Sequence, residues 1–125
     1  MKRNLASINA VAVMLIVLVI SGCYYDKYEE IDPLAQVSFT NDIQPIFDNH
    51  CTSCHPTLVA SPDLSPGNSY NSVSNGVYII ANDINASILY QRILGNPSIM
   101  PPGGSLSASE INLVKSWIEQ GALNN

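Results

Sequence analysis

The sequence predicts an all-α domain over residues 38–125, and three observations carry that reading. Apolar residues recur at helical spacing near both ends of this stretch. Pro, Gly, Ser and Asn fill the ground between them. Strict alternation of apolar and polar residues is absent, the nearest approach being Val77 to Ile80.

The first helix is expected between Phe39 and the cysteines. Phe39, Ile43, Ile46 and Phe47 fall at i, i+4, i+7 and i+8, which is one helical face. Pro45 has no N–H to give, so it belongs in an opening turn, with Asp42 or a near neighbour as N-cap. Gln44, just before the proline, is pushed away from helical geometry, so an irregular entry is expected.

Residues 58–76 are dense in Ser, Pro, Asn and Gly and read as loop, with Tyr70 and Val73 able to share a short helical turn. Asn85 is a candidate cap for a helix carrying Ile88, Leu89, Ile93 and Leu94, which stops at Gly95 with Pro97 beyond. Met100-Pro101-Pro102-Gly103-Gly104 cannot be regular helix. The last element is the clearest. Ser107 and Glu110 form a capping box, Val114, Trp117 and Ile118 make an apolar stripe flanked by Ile111 and Leu113, and Gly121 is a stop. Trp117 reads as core.

Ahead of this domain lies a different kind of segment. Met-Lys-Arg is followed by an apolar run from Leu5 to Ile20 and then Ser21-Gly22-Cys23. A basic start, an apolar centre and a small-residue end are the layout of a secretory signal peptide, here residues 1–22. The run is shorter than the ~20 residues of a bilayer span. Ile20-Ser21-Gly22-Cys23 resembles the bacterial lipobox, which makes Cys23 the expected lipid attachment point and the membrane an expected partner. Residues 23–37 then form an acidic tether with three tyrosines and Pro33, long enough to reach roughly 50 Å when extended. Acidic residues just after a lipidated cysteine also resemble surface-export signals of some lipoproteins. The expected location is therefore the cell envelope, on the periplasmic face or the cell surface.

Without residues 1–22, three basic residues (Lys27, Arg92, Lys115) face ten acidic ones, a formal charge of −7. That balance argues against nucleic acid, whose binding draws on basic patches. The length suits one domain with a modest core.

The chemistry sits in Cys51-Thr52-Ser53-Cys54-His55. Two cysteines separated by two residues reach a porphyrin edge and form thioethers with its vinyl groups, and the following histidine places an imidazole under the iron. A zinc site would need four donors around one ion, and His50, Cys51, Cys54 and His55 crowd into six positions. A thioredoxin-like dithiol wants a strand leading into a helix at the first cysteine, and here a helix precedes it. A plain disulfide leaves His55 unexplained. The reading is one covalent haem c on Cys51 and Cys54, with His55 as one axial ligand.

For the other axial position Met100 is the candidate, being the only methionine outside the leader and lying on a Pro/Gly-rich loop 45 residues beyond His55. The bland alternative is a methionine that fills a core gap. His50 is the rival imidazole, but it adjoins Cys51 on the attachment side and otherwise reads as an exposed histidine at a helix end. Arg92 and Tyr90 are candidates to hydrogen-bond a haem propionate.

Phe39-Thr-Asn-Asp-Ile-Gln-Pro-Ile-Phe47, Cys51-Thr-Ser-Cys-His55, Met100-Pro-Pro-Gly-Gly104, Leu106-Ser-Ala-Ser-Glu-Ile111 and Trp117-Ile118-Glu-Gln-Gly-Ala122 together resemble a class I cytochrome c domain of the compact environmental-bacterial, planctomycete-type kind. The resemblance covers about residues 38–122. It implies a small fold whose first and last helices pack across each other beside one haem, with thioethers at Cys51 and Cys54, His55 proximal and Met100 distal. The polar loop 58–76 departs from the pattern.

An iron held by His and Met has no open position, so the expected function is single-electron transfer between a protein donor and a protein acceptor, with no organic substrate and no catalysis of its own. Two other classes stay open on sequence: a haem subunit of a larger membrane-associated oxidoreductase, and a small-gas sensor if Met100 does not ligate.

Overall fold

The computed structural model describes residues 35–56 and 60–125. The leader, Cys23 and nearly all of the tether lie outside the described residues. Among the described residues the structure is helical without strands: a π-helical segment Phe39–Ile43, then α1 (Gln44–His50), α2 (Ser69–Val73), α3 (Ile88–Ile93) and α4 (Ala108–Glu119). Val77 to Ile80 supplies only a single antiparallel bridge, Ile80 to Asp83. No helix among these residues is long and apolar enough to cross a membrane.

The entry to the first helix is irregular, as Pro45 leads one to expect, but the cap and the cause differ in detail. The N-cap position of α1 is Ile43, the neighbour of Asp42, which offers no side-chain cap bond, and the side-chain cap lies one segment earlier, at Ser38 ahead of Phe39–Ile43. Ser38 Oγ accepts the Asn41 amide at 3.1 Å, and Asp42 Oδ2 accepts the Ser38 amide at 2.7 Å. Gln44 is helical (φ −57°, ψ −41°) and its amide reaches back five residues to the Phe39 carbonyl. The wide turn accommodates a residue that has no amide to contribute to the tighter ladder. Phe39, Ile43, Ile46 and Phe47 are all buried, so the apolar face read from the spacing is the real one.

α4 completes the other half of the core. Ser107 and Glu110 form the capping box, with the Ser107 amide donating to Glu110 Oε2 at 2.8 Å and Ser107 Oγ accepting the Glu110 amide at 3.3 Å. Val114, Trp117 and Ile118 are buried. At the far end the Gly121 amide bonds Ile118 and the Ala122 amide bonds Trp117, with Gly121 at φ +97°, which is the glycine-terminated Schellman arrangement. The Trp117 ring lies 5.3 Å from Phe39, and its Nε1 donates to the Leu123 carbonyl at 2.9 Å. Phe39 also meets Tyr70 of α2 at 5.2 Å. One aromatic side chain thus joins the π segment, α2 and α4.

Further polar bonds lock the ends of the domain together. Gln120 accepts the Val37 amide at 2.8 Å and donates to the Ala35 carbonyl at 3.1 Å. Val37, placed in the tether by sequence, is buried against this clamp.

Two expectations for the middle of the chain are corrected. α3 is capped by position Ser87 and not by Asn85, because Asp83 takes the Asn85 and Ala86 amides in a tight turn of its own. The buried Ser87 hydroxyl turns back instead to Ile80 and Asp83. The apolar face also differs: Tyr90 and Ile93 are buried, whereas Ile88 and Leu94 are 45 % and 52 % exposed. A six-residue helix shows few positions to the core, and Ile88 faces a cavity rather than solvent alone.

Candidate functional site

α1 ends at His50, and the chain continues into one more turn that carries the Cys-Thr-Ser-Cys-His motif. The Cys51 and Thr52 amides both bond the Phe47 carbonyl, at 2.9 and 3.0 Å, and the Cys54 and His55 amides both bond the Cys51 carbonyl, at 3.1 and 2.9 Å. This helical winding places residues three and four apart on one side, so Cys51, Cys54 and His55 share a face. All three line one cavity of about 280 Å³.

Met100 lines the same cavity from the opposite end of the sequence. The rest of the wall is mainly apolar and includes Phe47, Leu64, Ile93 and Val114. Cys54 is exposed, which marks where the cavity approaches the surface, and Cys51 is half-buried. The structure therefore brings together all four residues singled out by sequence within the described part of the chain. Cys23, the fifth, lies outside the described residues.

His55 has a defined orientation. Its Nδ1 lies 3.1 Å from the Pro62 carbonyl. A carbonyl can only accept, so Nδ1 donates this bond and Nε2 is left for another partner. Metal-bound histidines characteristically have this second-sphere hydrogen bond. The Leu64 amide in turn donates to the His55 carbonyl at 2.9 Å, closing the loop that begins after the motif. Residues 57–59 of that loop lie outside the described residues. Its polar side chains satisfy one another locally, as when the Ser72 hydroxyl accepts the Asp63 amide at 2.8 Å, while Pro62 and Leu64 are buried and supply cavity wall.

His50 behaves otherwise. It is half-buried rather than exposed, and its Nε2 donates to Glu110 Oε1 at 2.8 Å. That nitrogen is committed to a carboxylate at the first turn of α4. The Glu110 side chain had a role in the capping box from sequence, but its second partner was not legible there, because sixty residues separate the two. Burial pushes the Glu110 carboxyl up, yet the Ser107 amide and hydroxyl together with His50 outweigh it, and the net shift is downward. Burial pushes the Cys51 thiol up to about 11, with Cys54 and Glu110 adding to the effect.

The two residues considered for an anionic ligand group separate. Tyr90 is buried among core residues and does not line the cavity, whereas Arg92 does. Trp117 lies off the cavity wall and in the core.

The donor set is two thiols, one imidazole with a free nitrogen and one thioether around an apolar space. These are soft-to-intermediate donors, unlike the oxygen donors that magnesium or calcium take. Among the described residues no group of three or more His, Cys, Asp or Glu is arranged to hold a bare metal ion. Comparison of the chain with protein-family models, with curated proteins and with solved structures finds no match.

Proposed function

We propose that the chain is a small c-type cytochrome that transfers single electrons at the cell envelope. One observation carries the reading: Cys51, Cys54, His55 and Met100 meet on one apolar-walled cavity, with His55 held by the Pro62 carbonyl so that Nε2 is the free donor. Cys51 and Cys54 are the attachment points. Each thiol adds across one vinyl double bond of the porphyrin, forming a carbon–sulfur bond while its hydrogen goes to the neighbouring carbon, and no oxidant or reductant is consumed. His55 Nε2 and the Met100 sulfur would be the protein's donors to the iron. The bound haem supplies an iron that cycles between ferrous and ferric states, and a methionine ligand raises its potential.

The chain's own contribution is to orient and exclude. Pro62 fixes the imidazole tautomer, the apolar wall keeps water from the centre, and two protein ligands leave no position for a substrate. In this reading the helical body is a small cytochrome c fold, with its first and last helical elements packed together beside the haem. The partners are a protein donor and a protein acceptor, and the chain itself catalyses no bond chemistry. Residues 1–22 direct export, and Cys23 carries the lipid that holds the domain to a membrane through the acidic tether.

The test is an absorption spectrum of the protein made in a host able to attach c-type haem, read in both oxidation states. Covalent haem with the ferric long-wavelength band of methionine sulfur on iron, lost in Met100→Ala, is the expected result. A protein that leaves the same host without covalent haem would overturn the reading.

A further inference from the structure

Met100 stands on a segment with little packing of its own. Ile99 beside it is 40 % exposed, and Pro101 and Pro102 contribute no amides. What ties this segment to the helical body is α3, and above all one residue of it. The Met100 amide donates to the Arg92 carbonyl at 2.9 Å. The Arg92 guanidinium reaches past it, and Nη1 donates to Ser98 Oγ at 2.6 Å. The intervening turn is closed by the Gly95 amide on the same Arg92 carbonyl at 3.1 Å and by the Asn96 amide on Gln91 at 2.9 Å. Arg92 itself lines the cavity that Met100 enters.

We propose that Arg92 is the positioning residue for Met100, gripping residues 98–100 by its backbone at one end and by its side chain at the other. The proposal rests on the reading of Met100 as the axial donor. The backbone bond pins the Met100 main chain beside the end of α3. The guanidinium bond keeps Ser98 from swinging outward and carrying Met100 with it. Ser98 is exposed, so the bond has a modest net worth, about 0.5–1.5 kcal/mol. That corresponds to a roughly two- to tenfold change in how readily the segment leaves the iron.

The experiment uses the haem-loaded ferric protein and free imidazole, which competes with the Met100 sulfur for the iron. Ser98→Ala and Arg92→Met should each raise imidazole affinity by about two- to tenfold. The double variant should show no more than the larger single effect, because both remove the same bond. Arg92→Lys, which keeps one donor on a flexible stem, should fall between parent and Arg92→Met. Gln120→Ala, which loosens the clamp on Val37 instead, should lower the melting temperature without raising imidazole affinity; if it raises affinity equally, the effect is general loosening and the proposal falls. The proposal is also overturned if Ser98→Ala and Arg92→Met bind imidazole as the parent does while Met100→Ala binds it much more tightly. If Met100→Ala itself leaves imidazole affinity unchanged, the axial role of Met100 fails first and takes the proposal with it.

Discussion

His50 Nε2 lies 2.8 Å from Glu110 Oε1, joining the last residue of α1 to the first turn of α4 one position ahead of the cysteine motif. The pair adds a polar bond between α1 and α4, beside the contact that Phe39 of the π-helical segment makes with Trp117.

A pH dependence follows from Glu110. Its carboxyl sits below the ordinary value in the folded chain, so the folded state holds the ionised form more firmly than the unfolded state does. The stabilisation is fully present above the unfolded carboxyl value near pH 4.5 and is lost as the pH falls through the lower folded value. Urea unfolding midpoints should therefore drop between pH 6 and pH 3, and Glu110→Gln should flatten part of that fall. At neutral pH the variant should lose about 1 kcal/mol, mainly through the capping box. Coupling to His50 in a double-mutant cycle should stay under ~1 kcal/mol, since both side chains are partly exposed. Parallel acid profiles for parent and variant would remove the argument.

Adjacent residues of α3 should differ sharply. Ile93 is buried and Leu94 is 52 % exposed, although spacing alone assigned both to one apolar face. Ile93→Ala should cost about 2–5 kcal/mol, and Leu94→Ala should stay within ~0.5 kcal/mol of the parent. Chemical denaturation of the two variants checks this, and equal losses would mean that the helix is rotated from the orientation described.

The difference between those two residues shows what sequence periodicity can and cannot read. Phe39, Ile43, Ile46 and Phe47, and then Val114, Trp117 and Ile118, could be placed because long stripes facing one core repeat often enough to fix their phase. α3 is too short for that, and its orientation depends on a turn in which Asp83 outcompetes Asn85 for the local amides. At the cavity, the grouping of Cys51, Cys54 and His55 on one face was legible because spacings of three and four residues are local. Met100 was legible only by exclusion. The Pro62 carbonyl, the Glu110 partner of His50 and the Ser98 partner of Arg92 were not, since Pro62 and Ser98 lie on loops whose path the residues do not announce and His50 and Glu110 meet only through the packing of two helices sixty residues apart.

Asn125 should matter more than its position suggests. Its Oδ1 accepts the amide of buried Phe39 at 2.8 Å, and its Nδ2 donates to the Val37 carbonyl at 3.3 Å. Asn125→Ala leaves a partly buried amide without its acceptor at the start of the π segment, for about 1–3 kcal/mol. Hydrogen exchange should speed up at Phe39 and spread to the following amides. Unchanged protection at Phe39 would show that another acceptor takes over.

The two cysteines should react unequally with a thiol reagent. Cys51 is half-buried, and burial, reinforced by Cys54 and Glu110, pushes its thiol up to about 11. At pH 8 it then has roughly a hundredfold less thiolate than an ordinary thiol, and the thiolate is the form that attacks an alkylating reagent. Cys54 is exposed and open to the same reagent. Brief treatment of the haem-free protein with iodoacetamide at pH 8, followed by peptide mass spectrometry, should label Cys54 well ahead of Cys51. Glu110→Gln should narrow the gap by removing one of the charges that disfavour the Cys51 thiolate. Raising the pH towards 11 should narrow it further as that thiol ionises. Equal labelling of both sites at pH 8 would contradict the burial of Cys51.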